Sequence, residues 1–137
     1  MRSLFVEGIP KPQGSKSARV VRGRAVMYEA NKQLHSWRDK VTTTAIIEAN
    51  QNNWPAWGDP VRVCMTFHIP RPASVTEQQR RYPSVKPDLD KLARAVNDAI
   101  VKAGLIIDDS QIVSLQVDKR YADGVSPGVL LTIEQFG

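Results

Sequence analysis

The stretch "KPDLDKLARAVNDAIVKAGLIIDDSQIVSLQVDKRY", residues 86–121, does most to decide the fold of this chain. Its first half places apolar residues at the 3.6-residue spacing of a helix with one buried face. We therefore predict a helix from about Asp88 to Lys102, with Gly104 as its C-terminal stop. An acidic turn follows, and the pattern of Gln111–Tyr121 then predicts a strand. The predicted apolar stripe of the helix consists of Leu89, Leu92, Val96, Ala99, Ile100 and Ala103.

Strand patterns also occur on both sides of this stretch. The clearest is Val61–Ile69, in which every second residue is apolar and large. Ser3–Ile9 and Val129–Phe136 predict two further strands. Two short β-prone runs, residues 19–21 and 24–28, flank Arg22 and Gly23 and predict a hairpin.

A second helix is predicted from the N-cap candidate Asn31 to about Asn50. Residues 70–87 contain four prolines and four basic residues and predict a long loop. The resulting element order contains too few strand–helix–strand units for a doubly wound fold. It predicts one α+β domain over residues 1–137, a mixed β-sheet with two main helices packed against it. The buried face of this second helix, from Asn31 to about Asn50, is predicted to contain Leu34, Trp37, Val41 and Ala45.

The composition excludes several classes of protein. No run approaches the roughly 18 apolar residues of a membrane span, and the N-terminus lacks a signal-peptide pattern. The single cysteine, Cys64, rules out an internal disulfide framework and fits a reducing cytoplasm. With only two histidines beside it, a metal site would have to be built from oxygen ligands, which favours Mg²⁺, Mn²⁺ or Ca²⁺.

Charge is unevenly distributed along the chain. The net charge is +5, and residues 1–40 carry nine basic side chains against three acidic ones. Residues 88–123 hold seven of the fourteen acids. A polyanion would be attracted to the basic portion with salt-sensitive affinity, although a solvated basic surface explains the same pattern.

The acids of residues 88–109 have two explanations. Asp88 is placed to cap the predicted helix, and "DDS" at 108–110 suits a turn. Asp90 is not needed as a cap, and it shares one flank of the helix with Arg94 and Asn97, while Asp98 lies further round towards solvent. Apolar residues border Asp108 and Asp109 on both sides, and partly desolvated acids need a counter-charge. Two such pairs meeting across Gly104 would form an oxygen cage for one or two divalent cations.

Residues 86–121 resemble the signature region of the RusA family of Holliday-junction resolvases, small endonucleases of phages and prophages. The resemblance rests on Asp-Leu-Asp opening a helix, a basic residue four positions later, a Lys-Ala-Gly stop, and Asp-Asp-Ser-Gln-Ile. The segments "GIPKPQGSKS" and "LHSWRDKV" are similar to the same family more loosely. The resemblance implies a homodimeric RusA-like fold that nicks two opposed strands of a four-way DNA junction with Mg²⁺, or Mn²⁺ as a substitute. It also implies action in the cytoplasm of a bacterial host.

Carried over by position, the family's catalytic and metal-binding acids fall on Asp88, Asp90 and Asp109, with Asp108 as an additional ligand. The family's catalytic lysine falls on Arg94, which can neutralise a phosphate but cannot transfer a proton near neutral pH. Lys91 is a second departure, since the family usually has asparagine there, and either cation could take the lysine's role. The expected DNA-binding residues, which would contact backbone phosphates, are Lys16, Arg71, Arg80, Arg81, Lys86 and Lys91.

Two other functions remain open at this level. One is a non-catalytic dimer that binds branched DNA, in which the departures at Lys91 and Arg94 have disabled the chemistry. The other is a Ca²⁺-stabilised structural protein, which is disfavoured because the chain has no EF-hand pattern.

Overall fold

The computed structural model describes the backbone of residues 1–13, 16–21, 24–29 and 33–136, and the side chains of residues 1–13 and 36–136. Its helices are α1 (Gln33–Asn52) and α2 (Leu89–Lys102), and a short 3₁₀ turn spans Asp109–Gln111. The strands are β1 (Arg2–Glu7), β2 (Lys16–Val21), β3 (Arg24–Glu29), β4 (Val61–Ile69), β5 (Ile112–Tyr121) and β6 (Gly128–Gln135).

The main sheet has the strand order β1-β6-β4-β5 and is mixed, as predicted. Strand β4 pairs antiparallel with β6 and parallel with β5, so it lies between them. A parallel neighbour requires a long crossover connection, and α2 lies within the one that joins β4 to β5. The predicted hairpin is confirmed as β2 and β3, which pair antiparallel outside the main sheet. Its turn residues and the predicted N-cap Asn31 lie outside the described residues.

The hydrophobic core lies between one face of this sheet and the two helices. Alternate residues of β4, such as Val63 and Phe67, are fully buried there. Trp37 and Val41 of α1 and the predicted stripe of α2 meet them. The side chain of Leu34 lies outside the described residues. This packing fixes α2 against the sheet and thereby sets the position of the acidic residues that follow its apolar stripe.

Candidate active site

A groove of about 550 Å³ runs between α2 and the helix-facing side of β5. Leu115 and Val117 lie opposite the buried residues Val63 and Met65 of β4, so they face the helices. Because β5 is an edge strand that α2 only partly covers, Leu115 stays 44% exposed. The apolar lining consists of Leu89, Ala93, Leu115 and Val117, and the polar lining of Asp90, Arg94, Asn97, Asp98 and Asp109.

Helix α2 supplies most of the polar side chains of this groove. Asp90, Arg94 and Asn97 are spaced four and three residues apart, so they share one flank of the helix, as predicted. Asp98 also reaches the groove instead of pointing simply to solvent, and its carboxylate lies 3.9 Å from the guanidinium of Arg38. Asp109 enters from the 3₁₀ turn that precedes β5.

The side chains of Asp90, Arg94 and Asp109 form no hydrogen bond or ion pair with any described part of the chain. All three are exposed within the groove. The side-chain oxygen of Asn97, by contrast, is buried and has no hydrogen-bond donor. A buried acceptor without a partner is energetically unfavourable, so the groove offers oxygen atoms that lack a positive or donating partner.

Asp108 has a different environment from its neighbour Asp109. Its carboxylate accepts hydrogen bonds from the backbone N–H of Ser110 at 3.0 Å and from the Ser110 hydroxyl. These bonds cap the 3₁₀ turn and hold the pKa of Asp108 below its ordinary value, because they stabilise the charged form. The turn-residue explanation therefore applies to Asp108, which does not line the groove.

Gln111 holds the acidic turn in place. Its side-chain oxygen accepts hydrogen bonds from the backbone N–H groups of Ile107 (2.7 Å) and Asp108 (2.8 Å). Its side-chain nitrogen donates to the backbone oxygens of Trp57 and Asp59, both at 2.8 Å. One side chain thus ties the segment that presents Asp109 to the loop that precedes β4.

Arg2 and Trp57 hold the start of the same segment, at Leu105. The backbone N–H of Trp57 donates to the backbone oxygen of Leu105 at 3.1 Å, and the guanidinium of Arg2 lies 3.7 Å from the centre of the Trp57 ring. Arg2 is 4% exposed, and burial lowers its pKa. The stacked guanidinium also reaches the Leu105 carbonyl at 3.4 Å, so the start of the acidic segment is anchored to β1.

Asp88 lies in a neighbouring cleft and not in the groove. It occupies the N-cap position of α2, but its side chain makes no capping hydrogen bond. Its carboxylate lies 3.6 Å from the ammonium of Lys91, one helical turn later. The cleft around this pair is lined by Pro12, Lys86, Pro87, Asp88 and Lys91.

The loop before α2 is fixed to β5 by Lys119. Its ammonium donates to the backbone oxygens of Val85 (2.7 Å) and Pro87 (2.8 Å). Lys119 faces the helix side of the sheet, since it lies opposite the buried Phe67. This contact fixes the chain where it enters α2 and therefore sets the position of Asp88.

The oxygen ligands of the groove suit a hard divalent cation. Asp90 and Asp109 line it together with the unpartnered oxygen of Asn97, and Mg²⁺ in proteins is often held by one or two carboxylates with water and substrate phosphates. Within the described residues, however, no three acidic, histidine or cysteine side chains are close enough to form a metal site. The structure therefore brings Asp90 and Asp109 together and leaves Asp88 and Asp108 outside that pair.

Arg94, and not Lys91, is the cation that lines the groove with these acids. Lys91 faces the neighbouring cleft with Asp88. The geometry therefore favours Arg94 for the role that the family resemblance gives to a lysine.

The long loop at residues 70–87 is organised by Arg71. The guanidinium forms a two-point ion pair with Asp123 at 2.9 and 2.8 Å and donates to the backbone oxygens of Thr76, Arg80 and Arg81. It also lies 4.0 Å from the ring centre of Tyr121. Its predicted contact with DNA stays a prediction, but the observed contacts hold the loop together.

The other predicted DNA-binding residues differ in how freely they reach solvent. Arg80 is half-buried and donates to the Tyr121 hydroxyl at 2.7 Å. Arg81 is exposed beside the ring of Tyr82, and Lys86 is exposed at the Asp88 cleft. The backbone of Lys16 belongs to β2, and its side chain lies outside the described residues.

Sequence patterns did not identify Gln111 or Lys119 as residues that position the site. Lys119 and the side-chain nitrogen of Gln111 donate to backbone carbonyls of distant segments, so no spacing along the sequence indicates these contacts. The phrase "DDSQ" contains a weak signal for Gln111, since an acidic N-cap followed three residues later by glutamine is a capping box.

The comparisons with known proteins bear on the whole chain. The model of the family described as "Endodeoxyribonuclease RusA" matches residues 8–134. A search of curated proteins found no match. Among the residues that the structure describes, no helix is long and apolar enough to cross a membrane. The match spans both the groove and the elements that build it, and the chain therefore belongs to the RusA family of endodeoxyribonucleases.

Proposed function

We propose that this protein is a Mg²⁺-dependent endonuclease that resolves four-way DNA junctions by paired nicks, with Mn²⁺ as a possible substitute ion. The observation that carries the proposal is the groove in which Asp90, Asp109 and Arg94 lie together without partners in the described part of the chain. RusA-family membership supports DNA as the substrate and branched junctions as its form.

Each residue of the groove has a distinct part in this proposal. Asp90 and Asp109 would hold the metal ion, and Asp88 would join them once its carboxylate leaves Lys91. A bound divalent ion would supply Lewis-acid stabilisation of the phosphate and activation of water. Arg94 would bind a phosphate oxygen through its planar guanidinium, which offers two parallel N–H donors and stays charged. Gln111 and the Asp108 cap hold the backbone of the turn that presents Asp109 to the groove.

Water would attack the phosphodiester in line and leave 5′-phosphate and 3′-hydroxyl ends. Junction resolution requires two such reactions on opposed strands, and a homodimer would provide two sites related by a two-fold axis. Sedimentation of the purified chain measures this state directly, and a monomer that still makes paired nicks would contradict the dimer.

The decisive experiment is cleavage of a synthetic four-way junction with and without Mg²⁺. We expect wild-type protein to nick it only with the ion, and Asp90→Asn and Asp109→Asn to lose at least about 100-fold in rate, because each removes a carboxylate that would hold the metal ion. Asp118→Asn is the matched control, since Asp118 is an exposed acid of β5 that does not line the groove. Full activity in Asp90→Asn would refute the site.

One observation favours a second candidate, a non-catalytic dimer that binds branched DNA. Asp88 pairs with Lys91, and the described residues contain no three acidic, histidine or cysteine side chains close enough to hold one metal ion. This candidate predicts salt-sensitive junction binding with no nicks in any divalent ion, so the same experiment separates the two.

A further inference from the structure

A second, positively charged cleft lies between the start of α1 and residues 8–11, which directly follow β1. It measures about 360 Å³ and is lined by Gly8, Ile9, Lys11, Ser36, Trp37 and Lys40. None of these residues lines the groove or the Asp88 cleft. We call it the Lys11–Lys40 cleft.

The charge of this cleft differs from that of the groove. Its lining contains two ammonium groups and one hydroxyl but no carboxylate, whereas the groove contains three carboxylates. Neither Lys11 nor Lys40 forms an ion pair within the part of the chain that the structure describes. Two neighbouring ammonium groups without a counter-ion attract an anion.

Gly8 brings the backbone close to these side chains. Its φ of +145° is one that other residues rarely adopt, and a Cβ placed there would lie 3.1 Å from Trp37 Cζ3 and 3.3 Å from the ammonium of Lys40. The Gly8 N–H donates to the backbone oxygen of Pro127 at 3.0 Å, which fixes the chain at the end of β1. Gly8 therefore forms one side of the cleft, and a larger residue at this position would press against Trp37 and Lys40.

The segment that forms this cleft continues to the candidate active site. Pro12 lines the Asp88 cleft, and the Gln13 N–H donates to the backbone oxygen of Lys91 at 3.0 Å in α2. Residues 11–13 therefore link the Lys11–Lys40 cleft to the Asp88 cleft, whose surface includes Lys86 and Lys91. A polyanion whose one phosphate occupies the groove could follow this surface.

We propose that the Lys11–Lys40 cleft binds a backbone phosphate of DNA other than the one that is cut. The contact would anchor a DNA arm beside the groove and add affinity without reading sequence. This inference rests on the proposed function for its substrate, but the cleft is separate from the residues that carry the chemistry.

The test measures DNA binding and not cleavage. Lys11→Gln and Lys40→Gln are compared with Lys102→Gln, which removes the same charge from a cleft that contains Asp39 and Asp98. Equilibrium binding of a four-way junction and of a linear duplex is measured in Ca²⁺ across a salt series. We expect each cleft variant to bind both DNAs several-fold more weakly. Its slope of log affinity against log salt should fall by about 0.9, the value for one lost phosphate contact, and Lys102→Gln should keep the wild-type slope.

The outcomes separate this inference from the proposed function. Cleft variants that match Lys102→Gln in affinity and slope would overturn the inference, whether or not the wild-type protein prefers junctions. Reduced slopes on both DNAs without a preference for junctions would uphold the cleft and count against junction specificity. Thermal unfolding checks that the variants fold, and Lys40→Arg should restore the slope.

The alternative ligand with the same chemistry is a small free anion such as inorganic phosphate. Inorganic phosphate at millimolar concentration is therefore added to the wild-type binding assay at constant ionic strength. If phosphate binds while the lysine variants keep full DNA affinity, the cleft is a site for a free anion and the proposal is wrong. Competition between phosphate and DNA that disappears in Lys11→Gln supports it.

Discussion

Asp88 and Asp108 have partners within the chain, whereas Asp90 and Asp109 have none in the described residues. The carboxylate of Asp108 is bound by Ser110 and that of Asp88 lies beside Lys91, so only the other pair is ready to receive a ligand in the groove. Helical spacing was enough to predict that Asp90, Arg94 and Asn97 share a flank. It could not predict the direction of the Asp88 side chain, because an N-cap residue lies outside the regular helix and can turn either to the backbone or to Lys91.

Replacing Gln111 tests how the turn is held. In Gln111→Ala we expect stability to fall by about 1 kcal/mol, because four backbone groups lose a partner and water replaces only part of the loss. In the proposed nuclease, kcat should fall with KM nearly unchanged, since Gln111 places Asp109 and does not contact DNA. Urea unfolding and steady-state cleavage measure the two effects.

Gln111→Glu keeps the oxygen that accepts from Ile107 and Asp108 but loses the donor to Trp57 and Asp59. It should therefore restore part of kcat. Gln116→Ala, on the exposed part of β5, is the control. An equal loss in both alanine variants would show that Gln111 has no special positioning role.

At the scale of elements, an ion pair with a distant strand connection organises the first part of the loop at residues 70–87. The guanidinium of Arg71 joins three residues of the loop, Thr76, Arg80 and Arg81, to Asp123. The proline content correctly predicted a loop, but it gave no indication that Arg71 organises it. The reason is that Asp123 lies 52 positions away, and only the parallel pairing of β4 with β5 brings the two together.

This ion pair makes the loop sensitive to acid. Arg71 lowers the pKa of Asp123 and Asp123 raises that of Arg71. Because its pKa is lowered in the folded protein, ionised Asp123 stabilises the folded loop at pH values above 3.8, the ordinary pKa of the group. This stabilisation is lost as the pH falls through the lower pKa of the folded state. The loop should therefore loosen below about pH 4 and not between pH 5 and 8.

Trypsin provides the measurement at neutral pH, because the loop contains Arg80 and Arg81. We expect Asp123→Asn to speed cleavage after these residues several-fold, while Asp118→Asn, on β5, leaves the rate unchanged. Equal cleavage rates in the two variants would contradict the organising role of the Arg71–Asp123 pair.

At the scale of the whole molecule, the sheet and both helices share one hydrophobic core. Periodicity predicted the helices and the strands of the main sheet, and the described residues of the predicted apolar faces are buried or half-buried. It could not predict the order β1-β6-β4-β5, since alternation shows which face is buried and not which strand lies beside which. The groove depends on that order, because β5 must be an edge strand for its apolar side to stay open beside α2.

Shortening a core side chain of α2 should weaken the whole molecule. Leu92 is fully buried, and Leu92→Ala should lower the free energy of unfolding by about 2–5 kcal/mol through lost burial and a cavity. Ile47→Ala on α1, where the side chain is 49% exposed, should cost far less. Urea unfolding followed by circular dichroism gives both values, and similar losses would mean that α2 is not part of the common core.

The position of Trp57 gives the protein an intrinsic optical reporter. Its ring stacks on Arg2, its backbone N–H donates to the Leu105 carbonyl, and its backbone carbonyl accepts from Gln111, so Trp57 contacts both ends of the segment that presents Asp109. Any event that orders or shifts this segment changes the surroundings of the ring. Tryptophan emission can therefore follow occupation of the groove in the unlabelled protein, with Trp57→Phe identifying the part of the signal that comes from this residue.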